Sequence, residues 1–554
     1  MLNFNARKKI SLAVLAALGT TVSVGANAAT ANFDTATGTL QISSVDVPRA
    51  GSAAQFDTFS ANLSWLQDQP GFVFELTDAV LAAQSAEARV FFDGQFGKVF
   101  VPEVTLDGNS GVSFFAEMEL VPGSNPLRFS VTKLHSSNFE GCPDFAAPLD
   151  GNACALEGTL SGDVTLTNNI RWVLNGGVDV GGDRTNASVL TIEPGTVVQG
   201  QSGADFLFVN RGSQINAIGT PQRPVIFTGL GDDDSDTLLS GSWAGLVLAG
   251  ESLVNGCSEG VAVCEQFDEA LTRSYGGNNP NDNSGVLKYV QIRFAGFEIR
   301  PDNELNALTL LGVGSGTTID FVQTHRAKDD GVEMFGGTVN LKHIVATAVD
   351  DDSLDWGQGW TGKGQFIFVN QVDGFGDHGI EADNNEGDFN SLPRSKPQLV
   401  NLTIIGSDTG RDGALLRRGT GVNINNAIFT NFSRSCLNID SAATFENAGA
   451  PGQLTGELTV ENTVVDCATN FNDDSADLFL VSDWFTSQPG NVATNPNLNG
   501  FLPAAGSPAI GIGLHSFGND PFFAVTDYAG AFADENDDWT RDWTFFGTVP
   551  VGVR

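Results

Sequence analysis

A short phrase that recurs at uneven intervals between residues 300 and 430 constrains this chain more than any other feature. A polar or acidic residue is followed three positions later by another, usually a carboxylate. The strong copies are Asp330-Gly331-Val332-Glu333, Asp352-Ser353-Leu354-Asp355 and His378-Gly379-Ile380-Glu381. Weaker echoes stand at Asn306-Ala307-Leu308-Thr309 and Asp412-Gly413-Ala414-Leu415. Each copy leads into a Gly-bounded apolar alternation such as Thr338-Val339-Asn340-Leu341 or Gln365-Phe366-Ile367-Phe368. Parallel strands normally need helical crossovers, and the segments between these alternations are too short and too rich in Gly, Asn and Asp to supply them. A solenoid removes the difficulty, because each strand pairs with its equivalent one turn away at about 4.8 Å. Like positions then superpose, and the acidic residues form a stripe on one face.

The solenoid is expected over residues 141–510. The interval from Asp330 to Asp352 is 22 residues, from Asp352 to His378 26, and from His378 to Asp412 34. The longest interval requires an extra loop, which 383–397 supplies. A larger excursion is expected between 250 and 283. Residues 29–140 have a different grammar, a duplication in which Phe33-Asp34 with Gly38, Leu40 and Ile42 matches Phe92-Asp93 with Gly97, Val99 and Val101. Period-two apolar positions predict a β-sandwich-like module there. The Ala-rich stretch 79–88 reads as a short helix between its halves. The open ends of a solenoid need covers. A helix near 160–175 or the N-terminal module is expected at one end. The aromatic-rich segment 511–554 is expected as a cap against the last coils.

Residues 1–28 carry a basic start, an apolar run from Ile10 to Val24 and the ending Ala26-Asn27-Ala28, the pattern of a secretory signal peptide. No later stretch is long and apolar enough to cross a bilayer as a helix. Six cysteines fall as local couples, Cys142 with Cys154, Cys257 with Cys264 and Cys436 with Cys467, and disulfides in an oxidising compartment are their expected state. The expected location is secreted, at the cell surface, or periplasmic. With 66 acidic against 28 basic side chains the surface repels nucleic acid and anionic membrane and accepts cations.

Leu190-Thr191-Ile192-Glu193-Pro194-Gly195-Thr196-Val197-Val198, the run Gly212 to Thr228, and Gly241-Ser242-Trp243-Ala244-Gly245-Leu246 together resemble the entry coils of secreted bacterial right-handed parallel β-helix proteins. Asn497-Leu498-Asn499 with Gly506 to Gly511 resembles their closing segment, so the likeness covers about 185–545. The resemblance implies an all-β, pectin-lyase-like right-handed β-helix and an exported location. That fold class includes polysaccharide lyases, glycoside hydrolases, adhesins and surface-layer components, and no catalytic motif of those enzymes transfers position by position.

The acidic stripe defines the candidate site. Asp329, Asp330, Glu333 and Asp351 are the candidate metal ligands, with calcium the cation that hard carboxylate oxygens favour. Asp352, Asp355, His378 and Glu381 are the candidate catalytic groups, since stacked carboxylates on neighbouring rungs can share a proton. Arg326, Lys328, Lys342, Lys363, Arg417 and Arg418 are available to neutralise the stripe. His325 and His343 are further candidate bases. Trp356 and Trp360, beside Asp355, are candidate sugar-stacking residues or, alternatively, corner packing. Two functions stand open: a surface or extracellular scaffold that binds polysaccharide or cell-surface components, stabilised by divalent cations, or a polysaccharide lyase or glycoside hydrolase.

Overall fold

A computed structural model describes residues 31–83, 90–257, 261–301, 303–513 and 517–549, with the side chains of 110–112 excepted. The signal-peptide segment lies outside the described residues. The chain forms two compact units, Met1–Gly141 and Cys142–Arg554.

In the first unit the duplicated sequence folds into two matching meanders. The strands are β1 (Ala31–Asp34), β2 (Thr39–Pro48), β3 (Phe56–Trp65), β4 (Val73–Leu81), β5 (Val90–Asp93), β6 (Lys98–Leu106), β7 (Asn109–Leu120) and β8 (Arg128–Ser136). Their order is β1-β2-β3-β4-β8-β7-β6-β5, and the parallel pairs β1–β6 and β2–β5 close the sheet on itself. The expected sandwich is therefore a single barrel-like sheet. Closure leaves no exposed edge, which a small two-layer sandwich would have to protect. The repeat is visible in its turns. Asp34 accepts the N–H groups of Ala36 and Thr37 at 2.9 and 3.0 Å, and Asp93 accepts those of Gln95 and Phe96 at 2.8 and 3.3 Å. Gly38 and Gly97, with φ of 71° and 69°, complete the two turns. The interior packs Leu40, Ile42, Leu63, Val99, Val101 and Met118. Residues 79–81 continue β4 rather than starting a helix, and 84–88 lie outside the described residues.

The second unit is a parallel β-helix of three sheets. Sheet I stacks Phe206–Val209, Gly245–Ala249, Leu308–Leu311, Val332–Phe335, Leu354–Gly357, His378–Ala382, Asp412–Leu416 and Ser435–Ile439 in parallel register. Sheets II and III are the two arms of one longer strand per coil: Gly285–Arg293, Thr318–His325, Asn340–Thr347, Lys363–Asn370, Gln398–Ile405 and Val422–Thr430. In the earlier coils the arms are separate strands, Gln214–Ile218 and Val225–Gly229, which pair with the two halves of Gly285–Arg293. Inward positions form continuous apolar columns, such as Leu246, Leu308, Val332, Leu354 and Ile380.

The corner between sheets II and III is made by one left-handed residue per coil: Tyr289, Phe321, His343, Phe366, Asn401 and Asn426, with φ between 50° and 62°. A non-glycine residue held there costs about 1 kcal/mol or more. Stacking offsets part of it, because Tyr289, Phe321, His343 and Phe366 lie ring on ring at 4.5, 4.1 and 5.0 Å. Such contacts contribute about 0.5–1.5 kcal/mol each.

Residues 160–175 are strand, Asp163–Leu166 and the start of Arg171–Val180, so the expected capping helix is absent. The first coil is covered instead by Ala147–Pro148, antiparallel to Ala153–Leu160, and by Phe145 stacked on Trp172. At the far end lie the short helices Ala442–Ala448 and Val481–Thr486, with Phe445, Trp484 and Phe485 buried. Thr526 to Gly530 lie against the late coils at Asn426 and Ile428, and residues 531–549 lead away from this end. Residues 517–549 run along the side of the solenoid over sheets II and III, from Asn426 and Thr403 back to Gln291. An aromatic-rich chain segment covers the amide- and aromatic-lined flank more extensively than it could a single end coil. All three cysteine couples are disulfides, Cys142–Cys154, Cys257–Cys264 and Cys436–Cys467. Among the described residues no helix is long and apolar enough to cross a membrane.

Candidate functional site

Sheet I carries the acidic stripe on its outer face, and the strand register builds it. Thr309, Glu333, Asp355, Glu381, Leu415 and Asn438 occupy one column, each directly paired with the next. Three positions earlier in each coil lies a second column: Asn306, Asp330, Asp352, His378, Asp412 and Ser435. Its residues are chained by side chain to main chain: the Asp330 N–H donates to Asn306 at 3.2 Å, the Asp352 N–H to Asp330 at 3.1 Å, and the His378 N–H to Asp352 at 2.6 Å. A carboxylate or amide at this place satisfies a corner N–H of the next coil, which is why polar residues recur there.

The structure therefore brings together the carboxylates named from the sequence. Asp329, Asp330 and Asp351 form one group whose oxygens lie within 4.8 Å of one another. Asp330, Glu333 and Asp355 form a second, and Asp352, His378 and Glu381 a third, within the same distance. At about 5 Å and an effective dielectric of about 20, each pair of like charges repels by about 3 kcal/mol. Burial and this mutual repulsion push the carboxyls of Asp330, Glu333, Asp352 and Asp355 well above the usual carboxylate range. Asp329 is pushed up to about 7 by burial and by Asp351, Glu304 and Glu269.

Among the described residues, ion pairs to Arg form at one end of the stripe, while Lys328 at the other end acts on Asp329 through its charge without an ion pair. Arg417 pairs with Glu381 and, at 2.9 Å, with Asp383; Arg418 pairs with Asp383 at 2.8 Å and Glu386 at 3.0 Å. Among the described residues no Lys or Arg lies within ion-pair distance of Asp329, Asp330, Glu333, Asp351, Asp352 or Asp355. Of the other expected neutralisers, Arg326 pairs with Asp236, Lys363 with Asp520, and Lys342 donates to the Phe522 carbonyl, while Lys328 stays close enough for its charge to act on Asp329.

The catalytic candidates divide by exposure. His378 and Asp352 are 2% and 4% exposed and locked together, with Nδ1 of His378 2.9 Å from Asp352. Burial holds the His378 imidazole below its usual range, and among the described residues its Nε2 has no hydrogen-bond partner, with Asp412 at 3.6 Å. Asp355 and Glu381 are half-buried and face outward. Trp356 and Trp360 do not: both are 1% exposed, inside the solenoid, with their indole N–H groups on Thr420 and the Val339 carbonyl. Trp356 sits at an inward position of the strand, between outward Asp355 and Gly357, so the sugar-stacking role falls. His325 and His343 are buried beneath the tail, hydrogen-bonded to Asp236 and Asp320, and are not part of this face.

Two acidic residues that sequence reading missed add to the site, Glu269 from the excursion after Gly245–Ala249 and Glu304 from the hairpin Glu298–Arg300 with Asn303–Glu304. Neither lies in the repeated phrase, so periodicity carries no signal for them. The excursion is anchored at the edge of sheet I: Tyr275 donates to Gln358 at 2.6 Å, and Asn255 donates to Asn384 at 2.8 Å. No curated protein and no solved structure matches the chain. The described family model of a pectate-lyase like beta helix domain matches residues 158–499, well over half of the chain, and its span coincides with the stacked parallel coils: the chain belongs to that family.

Proposed function

We propose that this protein is an exported β-helix that holds a divalent cation, best matched by calcium, on the outer face of sheet I and binds carbohydrate there. The observation that carries the reading is the run of six carboxylates over two rungs, Asp329, Asp330, Glu333, Asp351, Asp352 and Asp355, with no Lys or Arg in ion-pair contact among the described residues. Stacked anions of this density oppose folding unless protons or a cation neutralise them. Oxygen-only donors from several carboxylates suit calcium, which takes six to eight oxygens, better than zinc, which favours His and Cys. A pectate-lyase-like β-helix suggests a carbohydrate-related role, and the acidic face supports a cation-bridged mode of binding. Three disulfides support an oxidising location outside the cytoplasm.

Titration calorimetry with calcium on chelator-treated protein tests the cation, and a glycan array read with calcium and with chelator tests the ligand. Saturable calcium binding lost in Asp330→Asn, together with calcium-dependent glycan retention, is the expected result. Absence of calcium binding sinks the reading. A second reading, glycoside hydrolysis, draws on Asp355 and Glu381 standing on adjacent rungs with outward carboxylates. The rung spacing of about 4.8 Å is close to the separation of about 5–5.5 Å used by retaining hydrolases. Reducing-sugar release from a polysaccharide panel by wild type and not by Glu381→Gln would favour it.

A further inference from the structure

The segment 517–549 is held against sheets II and III by two kinds of contact. The first is made by side-chain amides that read its backbone. Gln323 accepts the Phe545 N–H at 2.7 Å and donates to the Phe545 carbonyl at 2.5 Å. Gln365 does the same to Ala524, at 2.7 and 2.9 Å. Asn401 donates to the carbonyls of Tyr528 and Gly530 at 3.0 and 3.1 Å and accepts the Thr526 hydroxyl at 2.8 Å. An amide that both donates to and accepts from one residue substitutes for a neighbouring strand. The second kind is aromatic. Trp543 meets Phe321 edge-on at 5.7 Å, Trp539 meets His343 at 5.1 Å, and Phe532 meets Phe368 at 5.2 Å.

We propose that sheets II and III form a ready-made groove for an extended, aromatic-rich peptide, that residues 517–549 are its resident occupant, and that the same segment of a second copy can take their place. Three observations support exchange. Among the described residues the segment adds no strand to any solenoid sheet, so the coil-to-coil ladders are complete without it. The face beneath it mixes amides with aromatics, as recognition surfaces do, whereas the inward columns of the same strands are apolar, Leu287, Ile319 and Leu341 among them. Gln291, Gln323, Gln365 and Asn401 would return to water when the segment leaves, which removes the penalty of stranded buried polar groups. The fit is also close: at Gly530, with φ of 91°, an added Cβ would lie 2.7 Å from Ile428 and 2.8 Å from Thr403.

The test inserts a site-specific protease sequence between Gly511 and Ile512 of the full chain. After cleavage, a fluorescein-labelled peptide of residues 517–549 is added and its anisotropy followed, with far-UV circular dichroism as the monitor of the solenoid. The expected result is uptake of the labelled peptide in exchange for the resident, with unchanged dichroism. A peptide carrying Gly530→Ala should bind at least tenfold more weakly. The proposal is overturned if the labelled peptide does not enter, if the Gly530→Ala peptide binds equally well, or if the resident leaves only at denaturant concentrations that unfold the solenoid.

Discussion

One carboxylate oxygen of Asp352 accepts the main-chain N–H of His378 on the next coil at 2.6 Å and stands 2.9 Å from its ring Nδ1. Burial, and after it the charges of Glu381 and Asp351, raise the pKa of the same carboxylate. Asp352 thus binds the coils together through geometry while opposing them through charge. Separating the two effects is a matter of one atom. Asp352→Asn keeps an oxygen for the main-chain donor and removes the charge. In chelator at pH 8 the variant should melt several degrees above wild type, and its calcium affinity should fall at least tenfold. Differential scanning calorimetry and titration calorimetry read the two effects, and a lower melting point in chelator would refute the charge account.

The cation-free protein should gain stability on acidification. Asp329 titrates near 7 in the folded chain, with Asp330, Glu333, Asp352 and Asp355 also raised, against about 4 for a carboxyl in the unfolded chain. The folded state therefore holds more protons between these values. The associated stability is complete below about pH 4 and is lost as pH rises through about 7. Urea midpoints in chelator should fall from about pH 5 to pH 8, and saturating calcium should flatten that slope. Asp236 works in the opposite sense, because His325, Arg326 and Thr548 hold its carboxyl below the usual range despite burial. Its contribution is lost only in strong acid and does not mask the effect.

Among the described residues Arg417 is the one arginine in contact with Glu381, and it also grips Asp383. Both carboxylates are mostly buried, with side chains 13% and 14% exposed. Removing the partner of a buried charge costs about 3–5 kcal/mol, and the partial exposure of Arg417 reduces this to about 1–3 kcal/mol for Arg417→Gln. Calcium should restore part of the loss by taking over Glu381. Urea unfolding with and without calcium measures both; equal losses in the two conditions would place Glu381 outside the cation's reach.

Trp356→Ala should act on folding and not on ligand. Its ring fills the inside of the coil against Trp360, 5.6 Å away, and donates to Thr420 at 3.1 Å. Large-to-small replacement at such a site costs about 3–5 kcal/mol. At a temperature where the variant remains folded, glycan retention should match wild type. Selective loss of retention without loss of stability would return Trp356 to the surface site.

The acidic stripe was legible in the sequence because it is carried by local spacing. Asp330, Asp352 and His378 each stand two residues before an inward apolar residue, Val332, Leu354 and Ile380, and the columns of those residues set the register of everything beside them. The same alternation places Trp356 inside the coil. Alternation says that neighbouring residues point to opposite faces, and Asp355 outward already required Trp356 inward.

The amino-acid order by itself thus determined the coil, its three disulfides and the rung-by-rung stacking of carboxylates, since each follows from short-range periodicity or proximity. Tertiary structure decided what covers the coil. The barrel closes through β1–β6 and β2–β5, Glu269 and Glu304 arrive over the stripe from excursions, and the tail lies along a flank rather than over an end. These are pairings between segments far apart in the chain. They are selected by the area and polarity each surface can bury, quantities that exist only once the surfaces have formed.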